Sequence, residues 1–438
     1  MVAKEIKRQS NKKAMRVLLI SANTEPINMP IIPVGLGAVA AATRDAGHEV
    51  NLVDLMGASD TGLVINNAVE AFQPDVIGIS VRNIDDQNME QPQFLLDQVK
   101  AVISDCRGFS NAPVVLGGAG YSVFPESCLA YLGADMGIQG EGEIAFPALL
   151  ALMEQGADLS GVCGLYLRGF GLQGKRKFAK NLDVLPFPDA ELWTPPTDKE
   201  QDPWMPVQTR RGCPMNCSYC STSCIEGRII RKRTPKMVVD TLVHHVEKGF
   251  RRFFFTDNIF NIPLTYTREL CRTLAERELD ILWRCILYPG RMGETLVKEM
   301  VKAGCTEVSL GFESGSERML RLMNKRFTPE DIRRASEMLA DHGIHQMGFL
   351  LLGGPGETRE SVKKSLAFAD SLQTDAMKIT VGIRIYPHTA LARTALKEGK
   401  ITRDDDLLFP RFYIVSGLED WLRATVSEWM AARSHWVT

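Results

Sequence analysis

Three of the chain's ten cysteines fall within eight residues, in Arg211-Gly-Cys-Pro-Met-Asn-Cys-Ser-Tyr-Cys220. Thiolates spaced Cys-x3-Cys-x2-Cys on one tight loop can each reach a different iron of a single cubane, and cysteine is the usual ligand of iron–sulfur clusters. Three ligands leave the fourth iron open, as a site that must bind substrate requires. Zinc competes for the same residues, but a tetrahedral site wants four ligands, usually in two separated pairs. Cys224 offers a fourth sulfur nearby, so zinc or a four-cysteine electron-transfer cluster stays open at this point. The other seven cysteines are scattered singly, which is not a disulfide framework.

Further polar residues stand where strands are expected to end. In the second half these are Asp257-Asn258, Arg284, Gly311-Phe-Glu-Ser-Gly-Ser316, Met323-Asn-Lys-Arg326, Leu352-Gly-Gly-Pro-Gly-Glu-Thr358 and Tyr386-Pro-His-Thr389. In the first half they are Ser21-Ala-Asn23, Ser80-Val-Arg-Asn83, Gly117-Gly-Ala-Gly-Tyr-Ser122 and Gly140-Glu-Gly-Glu143. Taken alone, a Gly-Gly-Pro-Gly-Glu run is only a turn. The basic run Arg228-Ile-Ile-Arg-Lys-Arg233 reads either as a solvated loop or as an anion-binding rim beside the cysteines.

The elements that must position these residues alternate between strand and helix. Apolar runs at 16–21, 48–54, 75–80, 113–117 and 136–139 are separated by helical patterns, the first over 35–46 and ended by Gly47. That order predicts an α/β, doubly wound, Rossmann-like parallel sheet over 15–155, with ligands beyond the carboxyl ends of its strands. A polar lead-in is expected over 1–14 and a connector over 156–205, punctuated by Pro195-Pro196 and with a possible strand over 161–168. Six further strands, near 207–210, 252–256, 283–287, 307–311, 346–352 and 378–384, predict a partial (β/α)6 barrel over 206–400. Its active site belongs at the carboxyl ends. Residues 401–438, with Trp421, Trp429 and Trp436 at helical spacing, predict a small helical C-terminal element.

Residues 206 to about 400 resemble the radical S-adenosylmethionine (SAM) superfamily, and the cysteine loop carries the resemblance. It implies a 4Fe-4S cluster on Cys213, Cys217 and Cys220, whose open iron binds the amino and carboxylate groups of SAM. One electron from the cluster then cleaves SAM to a 5′-deoxyadenosyl radical. The resemblance places Tyr219 beside the adenine and gives Glu313 a SAM contact, with Lys325 or Arg326 facing the SAM carboxylate. Asp257 and Arg284 are further SAM candidates at the barrel mouth. His388 stands where the family's sixth-strand motif has glycine.

Val114-Val-Leu-Gly-Gly-Ala-Gly-Tyr121 with Gln139-Gly-Glu-Gly-Glu143 resembles the cobalamin-binding domain found upstream of many radical SAM cores. Glycines there allow close approach to a large flat corrin. A nucleotide-binding Rossmann domain competes, but no Gly-x-Gly-x-x-Gly follows the first strand. The candidate cobalamin contacts are Ser21, Ser80, Arg82, Asn83, Gly117, Gly118, Gly120, Tyr121, Gly140, Glu141, Gly142 and Glu143. The Asp-x-His-x-x-Gly motif of other cobalamin proteins is missing, so cobalt is expected to lack a protein histidine ligand. Arg82 and Asn83 are candidates for its lower face, unless Arg82 pairs with Asp85 or Asp86.

The combined resemblance implies a cobalamin-dependent radical SAM methyltransferase that methylates an unactivated carbon of a small or hydrophobic substrate. The alternatives are a ring-forming or ring-rearranging enzyme with the same parts, and a non-catalytic cobalamin sensor. An external electron donor such as flavodoxin or ferredoxin is implied. A formal charge of -2 gives no basic field for nucleic acid. No apolar run reaches the roughly 18 residues of a membrane span, and no secretory signal is visible, so the expected location is cytoplasmic.

Overall fold

The computed structural model describes residues 14–25, 32–193 and 204–437. All but the last residue of the expected lead-in, and Pro195-Pro196, lie outside the described residues. The chain forms two compact units. The first takes residues up to Ile84, Leu95–Ala179 and Val184–Leu192. The second takes Asp85–Phe94, Lys180–Asp183 and the chain from Trp193 onward. These units cut across the linear division read from sequence. Part of the connector joins the first sheet, and a ten-residue stretch of the expected first domain packs within the second unit.

In the first unit, strands β1 (Arg16–Ser21), β2 (Glu49–Asp54), β3 (Val76–Ser80), β4 (Val114–Gly117) and β5 (Met136–Ile138) are parallel, in the order β2-β1-β3-β4-β5. β1 is buried on both faces beyond its first residue, which is why it reads as an unbroken apolar run. The helices Val34–Asp45 and Gly142–Glu154 cover one face through Leu36, Ala40, Phe146 and Leu149, packed on Val17, Leu19 and Val115. The strand order reverses between β1 and β3, the crevice where such sheets bind ligands. Two short strands, β6 (Leu165–Leu167) and β7 (Gly171–Leu172), extend the sheet antiparallel from β5.

In the second unit, β8 (Met205–Val207) leads to β9 (Arg210–Arg211), which pairs antiparallel with β10 (Arg231–Lys232) at the neck of the cysteine loop. Then β11 (Arg252–Phe255), β12 (Leu282–Leu287), β13 (Cys305–Glu313), β14 (His345–Leu352) and β15 (Ala376–Val381) continue the sheet begun by β8, all parallel. These are the six barrel strands expected. The helix Glu419–Ala431 supplies the C-terminal element. β16 (Ile383–Arg384) pairs with β17 (Phe412–Tyr413), and β18 (Trp436–Val437) adds to the edge of β15. Trp436 therefore lies in a strand beyond the helix that carries Trp421 and Trp429.

The helix Pro235–Glu247 buries His245 against Phe250 and Phe253, with its Nδ1 2.8 Å from the Thr241 carbonyl. Burial pulls the His245 pKa below its ordinary value, outweighing that hydrogen bond. Below about pH 6.5 the unfolded chain takes up a proton that the folded one resists, so stability is present above that pH and lost below it. Urea midpoints are expected to fall from pH 7 to pH 5.5, and His245→Gln is expected to flatten the slope.

Candidate active site

The cysteine loop is held at both ends by contacts that need no metal. Gly212 adopts φ +92°, and a Cβ there would lie 2.2 Å from the Ile229 carbonyl, so only glycine fits the entrance. Its N–H donates to Glu226 at 2.9 Å, and the same carboxylate accepts from Asn258 Nδ2 at 2.6 Å and Gln208 Nε2 at 2.8 Å. The Cys213 N–H donates to the Gly227 carbonyl at 3.1 Å. The Ser218 N–H donates to the Met323 carbonyl at 3.1 Å, while the Ser218 carbonyl accepts from Leu391 at 2.8 Å. Asn324 Nδ2 donates to the Asn216 carbonyl at 2.6 Å. Burial, with Cys220 and Cys217 as neighbours, pushes the Cys213 thiol up to about 11.

Beside the thiols lies a three-residue cluster. Glu313 ends β13 with φ +67°, just past an irregularity in the pairing with β14, and this turns its carboxylate toward the loop. Glu313 Oε1 accepts from the Tyr219 hydroxyl at 2.8 Å and from Lys325 Nζ at 3.2 Å. Burial pulls the Lys325 pKa down, but Glu313 first, then Tyr219 and Cys217, outweigh it and hold the ammonium charged. Burial and then Glu313 push the Tyr219 hydroxyl well above its usual range, so it stays a donor. Tyr219, Glu313 and Lys325, proposed singly from sequence, are thus one constellation. His388 takes φ +63°, the conformation a glycine would favour, so the replacement keeps the turn.

Two other candidates are not brought there. Asp257 is fully buried, ion-paired with Arg210 at 3.0 Å, and accepts from the Thr209 and Arg210 N–H groups at 2.7 and 3.0 Å. It pins the strand entering the cysteine loop, and its oxygens face the chain rather than a ligand. Arg284 pairs with Glu307 at 3.4 Å and stacks on Trp204 and Phe254. Glu307 precedes Glu313 by six residues on β13, roughly 20 Å along a strand, so Arg284 sits near the strand starts and away from the mouth. The basic run is neither wholly solvated nor a free rim. Arg231 and Arg233 are buried, and donate to the Glu226 and Leu182 carbonyls at 2.8 Å each. Glu226 was not anticipated, because a lone acid after the cysteines carries no spacing signal.

In the first unit the register sets Ser21, Ser80 and Gly117 abreast at the carboxyl edge. Gly117 has open space where a Cβ would project, which suits close approach by a flat group. Gly118 and Gly120 serve the chain itself. A Cβ on either would meet the Val81 or Arg82 carbonyl at 2.5 and 2.9 Å, so both allow two loops to touch. Tyr121 is turned inward, fully buried against Gly137. Gly140 donates to Ser122 Oγ at 3.0 Å, and Gly142 packs on Val39. Glu141 accepts from the Ala179 N–H at 2.7 Å, and Glu143 is buried in the first turn of its helix. Tyr121, Glu141 and Glu143 are thus buried, whereas Gly118, Gly140 and Gly142 stay partly exposed. Arg82 and Asn83 follow β3 half-buried, and no carboxylate among the described residues pairs with Arg82. Asp85 is instead paired with Arg384 at 2.7 Å. His48 lies at the opposite, amino edge, where its Nδ1 accepts from the Met15 N–H at 3.3 Å.

The thiols fit a cluster better than a single ion. Among the described residues no three Cys, His, Asp or Glu side chains converge tightly enough to hold one metal ion, whereas a cubane takes each thiolate at a different iron. Residues 207–369 match the radical SAM superfamily and residues 20–150 the B12 binding domain. The chain therefore carries both a radical SAM domain and a B12-binding domain. An uncharacterized methyltransferase of Pyrococcus horikoshii is 28% identical over 397 residues, covering 88% of this chain and 84% of that protein. Tryptophan 2-C-methyltransferase of Streptomyces laurentii is 23% identical over 443 residues, covering 86% and 74%. The radical SAM methyltransferase TsrM from Kitasatospora setae, solved with tryptophan and a SAM analogue, superposes with a TM-score of 0.83 at 21% identity, over 95% of this chain and 89% of that one. No helix among the described residues is long and apolar enough to cross a membrane.

Proposed function

We propose that this enzyme methylates an unactivated carbon of a small or hydrophobic molecule, using a 4Fe-4S cluster on Cys213, Cys217 and Cys220, SAM, and cobalamin. The observation that carries the reading is that one chain joins a B12-binding sheet to a three-thiol loop flanked by the part-buried Glu313–Lys325–Tyr219 cluster. When bound, the cluster supplies the electron that splits SAM, and cobalamin carries the methyl group. Lys325 offers a fixed positive charge to the SAM carboxylate. Glu313 Oε1 is occupied by two donors, so Oε2 is left to accept from a bound hydroxyl or ammonium group. Ser21, Ser80 and Gly117 form the edge that receives the corrin, with Arg82 and Asn83 toward its lower face and no histidine on cobalt. None of the ten cysteines, all among the described residues, is joined in a disulfide, which suits a reducing cytoplasm where flavodoxin or ferredoxin supplies electrons.

The test is anaerobic reconstitution with iron, sulfide and hydroxocobalamin, followed by SAM and a reductant. Formation of methylcobalamin and S-adenosylhomocysteine supports methyl transfer, and 5′-deoxyadenosine alone favours ring chemistry. A chain that retains no cobalamin rules out the reading. Glu313→Ala is expected to weaken SAM binding about 10- to 100-fold, as for loss of a charged hydrogen bond. Equilibrium dialysis measures that loss, and iron content should not change.

A further inference from the structure

We propose that Glu226 is a positioning residue that acts on the cluster through Cys213, its fixed negative charge holding the reduction potential low. The inference rests on the cluster proposed above. Glu226 ends the short helix Thr222–Glu226, six residues past Cys220. Two rungs clasp it to the entrance of the cysteine loop. Its Oε2 accepts from the Gly212 N–H at 2.9 Å, and the next carbonyl along, that of Gly227, accepts from the Cys213 N–H at 3.1 Å. The carboxylate is therefore bonded to the residue before the first thiol, and its charge is felt at the Cys213 sulfur.

The donors around this half-buried carboxylate decide its charge. Oε2 also accepts from Asn258 Nδ2 at 2.6 Å, and Oε1 accepts from Gln208 Nε2 at 2.8 Å. The Gly212 amide can only donate. Gln208 is turned by Arg211, whose Nε donates to the Gln208 Oε1 at 2.8 Å, so its amide nitrogen must face Glu226. Both carboxylate oxygens thus meet N–H groups, and a proton on either would point at a donor. Hydrogen bonds of this kind favour the charged form of an acid. Burial raises the carboxyl's pKa, and the Gly212 N–H, Arg211 and Asn258 hold that rise back. Reduction adds one electron to a centre whose three thiolates are already negative. A fixed anion beside one of them disfavours the reduced form, so the cluster gives up its electron more readily. Local charge is one of the levers by which proteins set such potentials. A clasp that was merely structural would need the acceptor oxygens and not the charge.

The experiment uses anaerobically reconstituted holoenzyme without SAM, held near pH 8 so that the carboxyl is ionised. A potentiometric titration follows the reduced cluster by electron paramagnetic resonance. Glu226→Gln keeps an oxygen for Gly212 and Asn258, loses only the acceptor for Gln208, and removes the charge. It is expected to retain about four irons per chain. At a fixed potential its ratio of reduced to oxidised cluster is expected to rise about tenfold, the scale of one unit charge at a half-exposed site. For one electron that ratio is a midpoint about 59 mV higher. Gln208→Met deletes the same hydrogen bond from the other side and leaves the charge, so its midpoint is expected to stay level or fall. A Glu226→Gln midpoint equal to that of the unaltered chain would overturn the inference. So would an equal rise in both variants, because the lost bond and not the charge would then be the cause. Loss of iron from either variant would overturn it as well, since the clasp would then serve assembly of the loop. An unaltered chain that shows no cluster signal would instead sink the function proposed above.

Discussion

Replacing Cys213, Cys217 or Cys220 singly with Ala is expected to reduce bound iron from about four per chain to near zero, whereas Cys224→Ala leaves it unchanged. Losing one of three ligands leaves two irons of the cubane without protein sulfur, and two thiolates on a short loop do not retain the cluster. The variant chains should still fold, because the loop is secured without metal. Gly212 is tied to Glu226, Ser218 to Met323 and Leu391, and Asn216 to Asn324. Cys224 lies past the loop, on the short helix Thr222–Glu226, with its N–H on the Ser221 carbonyl. Iron and sulfide assays and the visible spectrum of each reconstituted variant measure the effect, and a thermal melt of the apo chain checks folding. Loss of the cluster from Cys224→Ala alone would falsify the ligand assignment.

What could be read from the sequence was what local spacing encodes. The apolar runs gave the strands because parallel strands buried on both faces admit little else, as β1 illustrates. The cysteine spacing is a loop property and needs no tertiary knowledge. Tyr219, Glu313 and Lys325 could be picked out by place, but not as a hydrogen-bonded set, since they are up to 106 residues apart. The misplacements have one cause. Asp257, Tyr121 and Glu141 stand just past strand ends and Arg284 within a strand, yet which way each side chain turns depends on partners far along the chain. Arg210 and Glu307 took up two of these groups, and Ala179 a third. Gly118 and Gly120 show the same ambiguity, because a glycine admits another backbone as readily as a ligand.

Asp85 is the sharpest case, and its removal should carry a large cost in stability. Arg82 is its nearest cation in sequence, but Asp85 Oδ2 accepts from Arg384 Nε at 2.7 Å, 299 residues away, with both side chains at most 2% exposed. Arg384 spends its other donors on the Ile385, Leu407 and Leu408 carbonyls at 2.8, 2.8 and 3.2 Å. The stretch Asp85–Phe94 is secured further along by Glu90 on Arg423 at 2.8 Å and by Phe94 stacked on Phe409 at 4.5 Å. Those contacts are exposed and worth little beside a buried charge pair. Asp85→Ala leaves the Arg384 guanidinium buried without its counter-charge and is expected to cost about 3–5 kcal/mol, a fall of roughly 10 °C in melting temperature. Asp85→Asn, which keeps an acceptor, should lose less. Asp85→Leu combined with Arg384→Met should recover only part of the loss, because it removes the uncompensated charge but leaves the Ile385, Leu407 and Leu408 carbonyls without their donor. Calorimetry of the four proteins decides it. Equal melting temperatures for Asp85→Ala and the unaltered chain would mean that the pair holds nothing in place.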